Sequence, residues 1–97
     1  MCSRIPDGER SLVIFHWKDC GACHRMYDSL NRTKGWREKI RKHIYLVELE
    51  YKACESEIIR QGIRSFPTIR LYDGYGNYDT YSGERDVAHL LKYVKQS

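Results

Sequence analysis

The run Leu12-Val13-Ile14-Phe15-His16-Trp17 is packed with β-prone side chains and contains no acidic or basic residue other than a histidine. A strand without a polar face suits the centre of a sheet covered on both sides. This run leads directly into Cys20-Gly21-Ala22-Cys23. Two thiols at that spacing, at the start of a helix, close and open a disulfide without unfolding the chain. The helix N-terminus also favours a thiolate on one of them. A thiolate attacks disulfides and binds metals, so redox exchange, metal binding and haem attachment are all open from the motif alone.

Periodicity places the remaining elements. Met26, Tyr27 and Leu30 recur at helical spacing after Cys23. Asn31 to Gly35 interrupt them, and Trp36, Ile40 and Ile44 resume the rhythm, which predicts a kinked or two-part helix ending near His43. Ile44 to Glu50 form the second strand. Cys54, Ile58 and Ile59 mark a short helix closed by Gly62. Ser65 to Tyr72 form a third strand, the turn cluster Asp73-Gly74-Tyr75-Gly76-Asn77 follows, and Tyr78 to Tyr81 return as a hairpin. Asp86 caps a final helix with Val87, Leu90, Leu91 and Val94 on its core face. The order βαβαββα predicts an α/β fold: a four-stranded mixed sheet with helices on both faces. Strands separated by helices are expected to pair in parallel, the hairpin adding an antiparallel edge.

Composition bounds the function. The chain's 97 residues make one domain, 1–97, with residues 1–10 a loose arm or a short extra strand. The net charge of +4 is spread along the chain, unlike the clustered basic face that nucleic-acid binding needs. No stretch has the length and apolarity of a transmembrane helix. Met1 to Arg10 show no apolar signal region and Lys95-Gln96-Ser97 is no retention signal, so a reducing, cytoplasmic setting is expected. A secretory signal trimmed ahead of residue 1 would overturn that. Four cysteines are too few for a disulfide scaffold. Cys54 is expected as a small buried hydrophobe and Cys2 as a mobile terminal thiol.

Taken together, the buried strand, the Cys-x-x-Cys at a helix start and Gly62-Ile63-Arg64-Ser65-Phe66-Pro67-Thr68, the latter with its proline 47 positions past Cys20, resemble thioredoxin. The catalytic domains of protein disulfide isomerases are similar. The resemblance covers roughly residues 11 to 96. It implies a thiol-disulfide oxidoreductase that reduces, forms or isomerises protein disulfides with no cofactor and no metal. Cys20 is then the attacking thiolate and Cys23 the buried resolving thiol. Pro67 carries a cis bond from Phe66, and Trp17, Gly21, Ala22, Phe66, Pro67 and Gly83 line the substrate groove. The partners implied are protein disulfides and a reductase or oxidant that recycles the dithiol, with a monomer expected.

Several positions depart from the family pattern. Asp19 stands where tryptophan is usual. Ile14 occupies the place of a buried acid, and Glu48 that of a basic neighbour, so Glu48 is a candidate proton acceptor for Cys23. The alternative is that it lies at the sheet's solvent end. The opening strand and helix of full thioredoxins are shortened or absent. Three rival readings remain: Cys20-Gly21-Ala22-Cys23-His24 is literally a c-type haem attachment motif, the thiols are metal ligands, or the domain is a non-catalytic binding module.

Overall fold

Leu12, Val13, Ile14 and Phe15 are all 0% exposed, and they form the core of β1 (Ser11–His16), the strand about which a computed structural model of residues 2–96 is organised. Seven elements follow: α1 (Gly21–Leu30), α2 (Trp36–Arg41), β2 (Tyr45–Glu50), α3 (Glu55–Arg60), β3 (Thr68–Tyr72), β4 (Tyr78–Thr80) and α4 (Val87–Gln96). The four strands form one sheet in the order β2-β1-β3-β4. Alternation along β1 splits its side chains between two cores. Leu12 and Ile14 meet α1, α2 and α4 through Met26, Leu30, Trp36, Ile40, Leu90 and Val94. Val13 and Phe15 meet Val47, Leu49, Cys54, Ile58 and Tyr72 on the side of α3.

The expected two-part helix is present. Gly35, at φ +69°, breaks α1 from α2, a backbone region that suits glycine. Asp86 caps α4 by accepting the His89 N–H at 2.8 Å. In α3, Ile58 is fully buried whereas Ile59 points outward at 65% exposure.

One pairing differs from expectation. β2 runs parallel to β1, but β3 is antiparallel to it, with Thr68 opposite Phe15 and Tyr72 opposite Ser11. The connection from Glu50 to Thr68, which contains the six-residue α3, does not carry the chain back to the far end of the sheet. β3 therefore begins at the end where β1 and β2 finish. Cys20, Phe66 and Pro67 meet at that end.

The N-terminal segment also corrects the expectation of a loose arm. Among the described residues no strand or helix precedes Ser11, yet the segment is tied down. Cys2 and Cys54 form a disulfide with Cα atoms 5.1 Å apart, so neither is the isolated thiol the sequence suggested. Two cysteines 52 positions apart carry no local signal of pairing; the fold brings them together, with Ile5 packed against the α3-side core. The Gly8 N–H donates to the Gly74 carbonyl at 2.8 Å, and Arg10 Nη2 donates to the Val94 carbonyl at 3.0 Å.

Gly74 makes the approach to this segment close. A Cβ there would lie 2.4 Å from the Glu9 nitrogen, and its φ is +86°. Gly74→Ala is expected to cost about 2 kcal/mol, from clash and left-handed strain together. Gly76→Ala, which shares the positive φ but opens on free space, should cost about half that. Urea titration of the two variants measures the difference, and equal costs would show that the contact with Glu9 is unimportant.

Candidate functional site

Cys20 is the N-cap of α1. Its Sγ accepts the backbone N–H of Cys23 at 3.1 Å, a group that has no partner within the helix. Charge developing on this sulfur therefore has a donor and the helix N-terminus waiting for it. Cys20 is partly exposed, while Cys23 is 0% exposed. Burial, reinforced by a hydrogen bond with Cys20, pushes the Cys23 thiol up to about 12; a hydrogen bond with the Trp17 backbone and, more weakly, the Arg85 charge oppose this. The two sulfurs are thus unequal, one accessible and one shielded and protonated. At pH 8 a thiol of that pKa is ionised to about one part in 10⁴, so iodoacetamide should modify Cys20 with Cys23 reacting more than about tenfold slower. Peptide mass mapping checks this, and equal labelling would contradict the burial.

The end of the sheet builds a wall facing Cys20. The Phe66–Pro67 bond is cis, Pro67 is buried, and the Phe66 carbonyl accepts from Cys20 Sγ at 3.4 Å. Trp17 packs edge-on to Tyr51 at 5.6 Å between ring centroids, Trp17 and Phe66 lie 6.3 Å apart, and Tyr51 and Phe66 5.4 Å apart. Tyr51 was not legible as a site residue; it enters because β2 ends beside β1, where its N–H donates to the His16 carbonyl at 2.8 Å. Glu50 was likewise missed. Its carboxylate accepts backbone N–H groups of Lys18, Lys52 and Ala53 at 3.0, 2.8 and 3.0 Å, and these hold its pKa below the usual range. One side chain thereby fastens the loop ahead of Cys20 to the turn that follows β2.

Gly21 and Ala22 lie in the first turn of α1, Gly21 exposed and Ala22 half-buried. Gly83 has a local reason to be glycine: a Cβ there would come within 2.5 Å of the Tyr81 hydroxyl. His24 sits exposed with Nε2 against the Lys18 carbonyl.

Glu48 is not at a solvent end. It stands opposite Ile14 on β1 with a side chain 19% exposed. Arg37 donates to both its oxygens, Nε to Oε2 at 2.6 Å and Nη2 to Oε1 at 2.8 Å, and the Tyr27 hydroxyl donates to Oε1 at 2.8 Å. Burial raises its pKa, but these hydrogen bonds together outweigh it and the net direction is down. Neither Arg37 nor Tyr27 was singled out from the sequence, although Tyr27 stands one helical turn after Cys23, on the same face. Stability from this carboxylate is complete above its unfolded pKa and is lost as pH falls through the depressed folded value. Glu48→Gln should therefore flatten the acid side of a plot of Tm against pH while lowering Tm at neutral pH. A parallel downward shift at every pH would contradict the ion pair's contribution.

Two surface grooves, of about 960 and 680 Å³, lie elsewhere: one between the N-terminal segment, α3 and the hairpin, the other beside the start of β2. Neither is lined by Cys20 or Cys23. Among the described residues no three His, Cys, Asp or Glu side chains gather as a metal cluster, and no helix is long and apolar enough to cross a membrane.

An unequal pair of thiols at a helix N-terminus, just past the end of a central strand of an open mixed sheet and facing a cis-proline, defines a protein of the thioredoxin-fold class. The sequence profile of the Thioredoxin-like domain matches residues 5–97, and the chain belongs to that family. Among solved structures it is similar to the J-Trx1 fragment of ERdj5, with a TM-score of 0.78 and 17% identity over 92% of this chain and 43% of the other. The first two thioredoxin domains of Naumovozyma dairenensis Eps1p give 0.76 and 18%, over 90% and 34%. The zinc-bound form of human ERp44 gives 0.73 and 19%, over 92% and 26%. The chain thus spans less than half of each of these three. No curated protein sequence matches it.

Proposed function

We propose that the domain is a protein thiol-disulfide oxidoreductase working through Cys20 and Cys23. The observation that carries this is the asymmetry of the pair: Cys20 accessible, with its Sγ accepting the Cys23 N–H at the helix N-terminus, and Cys23 buried with its proton held. The Cys20 thiolate attacks a substrate disulfide, forming a mixed disulfide and expelling one substrate thiolate. Cys23, losing its proton, attacks Cys20 Sγ. That step forms the Cys20–Cys23 bond and releases the second substrate thiolate, so the substrate gains the two electrons that the pair gives up. Run in reverse, the same steps oxidise a dithiol.

The setting suits protein substrates. Cys20 opens on a surface framed by Trp17, Tyr51 and Phe66, and the Phe66 backbone offers an extended segment a strand-like contact. Gly21, Ala22, Pro67 and Gly83 complete the proposed groove. A reductase or oxidant must recycle the pair. We assign Glu48 the lesser role of proton acceptor for Cys23, reached through Tyr27. Its pairing with Arg37 makes it a weak base, so an unchanged pH profile of Cys23 attack in Glu48→Gln removes the role. The Cys2–Cys54 disulfide favours an oxidising compartment over the reducing one the sequence suggested.

The test is trapping. Cys23→Ala incubated with a disulfide-bonded peptide should accumulate a covalent complex through Cys20, released by dithiothreitol. Failure to form it, with folding intact, would overturn the proposal.

A further inference from the structure

We propose that the outer edge of β2 binds an extended acidic segment of a partner protein by strand addition. This surface is separate from the dithiol and independent of the redox reading.

β2 is the end strand of the sheet, and β1 pairs with only one of its sides. The direction of its backbone groups follows from the bond beyond its end, where the Tyr51 N–H donates to the His16 carbonyl on β1. Backbone groups alternate along a strand, so Tyr45, Val47 and Leu49 also face β1. Leu46, Glu48 and Glu50 face away. The Glu50 carbonyl is taken by the Cys54 N–H. Among the described residues no strand pairs with the N–H and C=O of Leu46 and Glu48 or with the Glu50 N–H. They form a row of three donors and two acceptors.

Edges of this length are ordinarily blunted by a proline, a free lysine, a bulge or shortness. At the opposite end of the sheet, β4 is blunted in that way, with three residues. β2 has six, with neither proline nor lysine. Its two charged side chains do not guard the edge. Glu48 is bound by Arg37 and Tyr27, and Glu50 by the backbone of Lys18, Lys52 and Ala53.

Charge identifies the occupant. At the start of β2 lies the 680 Å³ groove, lined by Arg10, Arg41, Lys42 and His43 with Glu9 as the one acid in its wall, Arg41 also pairing with Glu38 at 3.4 Å on an exposed helix face. Arg10 is fixed there by its bond to the Val94 carbonyl. Tyr45, at 57% exposure, borders it. An added strand that ran on past Tyr45 would enter this basic groove, which fits aspartates and glutamates and repels a basic segment.

The probe is a fluorescein-labelled peptide, Asp-Glu-Thr-Val-Thr-Val-Thr-Glu-Asp, compared with its counterpart carrying lysine at the four acidic positions. A third version has N-methylated valines. The acidic peptide should bind in anisotropy titrations with at least about tenfold preference over the lysine version, and N-methylation should abolish that binding. Arg41→Ala/Lys42→Ala should weaken it by about three- to tenfold while leaving disulfide exchange unchanged. Hydrogen exchange should slow at the Leu46, Glu48 and Glu50 amides when peptide is added, with Tyr45, Val47 and Leu49 unaffected. No binding at millimolar peptide, equal binding of the two charge versions, or protection elsewhere would overturn the proposal. So would protection of the same three amides in peptide-free protein that grows with concentration, since a second copy would then hold the edge.

Discussion

Cys20→Ser should lose catalysis of insulin disulfide reduction by dithiothreitol to the level of the reductant alone, a fall on the order of 10³-fold or more. The reason lies in the placement of the sulfur. Cys20 Sγ is the atom that accepts the Cys23 N–H at the start of α1 and lies 3.4 Å from the Phe66 carbonyl. A serine hydroxyl there keeps the cap, because oxygen accepts the same N–H, but it cannot ionise or form a disulfide. Stability should therefore hold while activity goes, which separates loss of chemistry from loss of fold. Cys23→Ala, by contrast, should still attack substrate once and then stall with Cys20 bound. If Cys20→Ser kept most of the activity, exchange would have to run through another thiol.

Cys2→Ser should lower stability by about 4 kcal/mol, or roughly 15–30 °C in Tm, according to the loop-closure entropy of a cross-link spanning 52 positions. Replacing the exposed Cys2 leaves Cys54 packed at 5% exposure among Val13, Phe15 and Ile58, so the loss measures the cross-link and not a cavity. Scanning calorimetry of Cys20→Ser with and without reductant, in which no Cys20–Cys23 bond can open, should give the same difference as the mutation. An equal Tm in oxidised protein and Cys2→Ser would show that Gly8, Ile5 and Arg10 fasten the segment unaided. The same variant bears on compartment, because a domain that needs this bond is weakened where thiols are kept reduced.

The parts legible in the sequence are those set by short-range pattern. The apolar run before Cys20 had no polar face to show to water, and β1 is buried on both sides. The interruption at Gly35 split the helix where a positive φ was needed. Asp73 was legible as a turn former, and its carboxylate binds the Tyr75 and Asn77 N–H groups. What escaped depended on distance through space. The short helix between Cys54 and Gly62 was legible, but not the end of the sheet to which its connection delivers the chain, and that end sets the direction of β3. Cys2 and Cys54 meet where the N-terminal segment docks, through Ile5, on the α3-side core. Arg37 on α2 reaches Glu48 on β2, so a carboxylate that looked like a free base in the sequence is an ion-paired one in the fold.

The central claim is that Cys20 and Cys23 form a reversible two-electron couple, and equilibration with glutathione tests it most directly. Protein would be held across a series of reduced-to-oxidised glutathione ratios, quenched with acid, alkylated and mapped by peptide mass. The account predicts one cooperative transition in which Cys20 and Cys23 lose their free thiols together as an internal disulfide, with Cys2–Cys54 unchanged. Persistent free thiols at both positions across the series, or glutathione adducts on Cys20 with Cys23 never engaged, would contradict it.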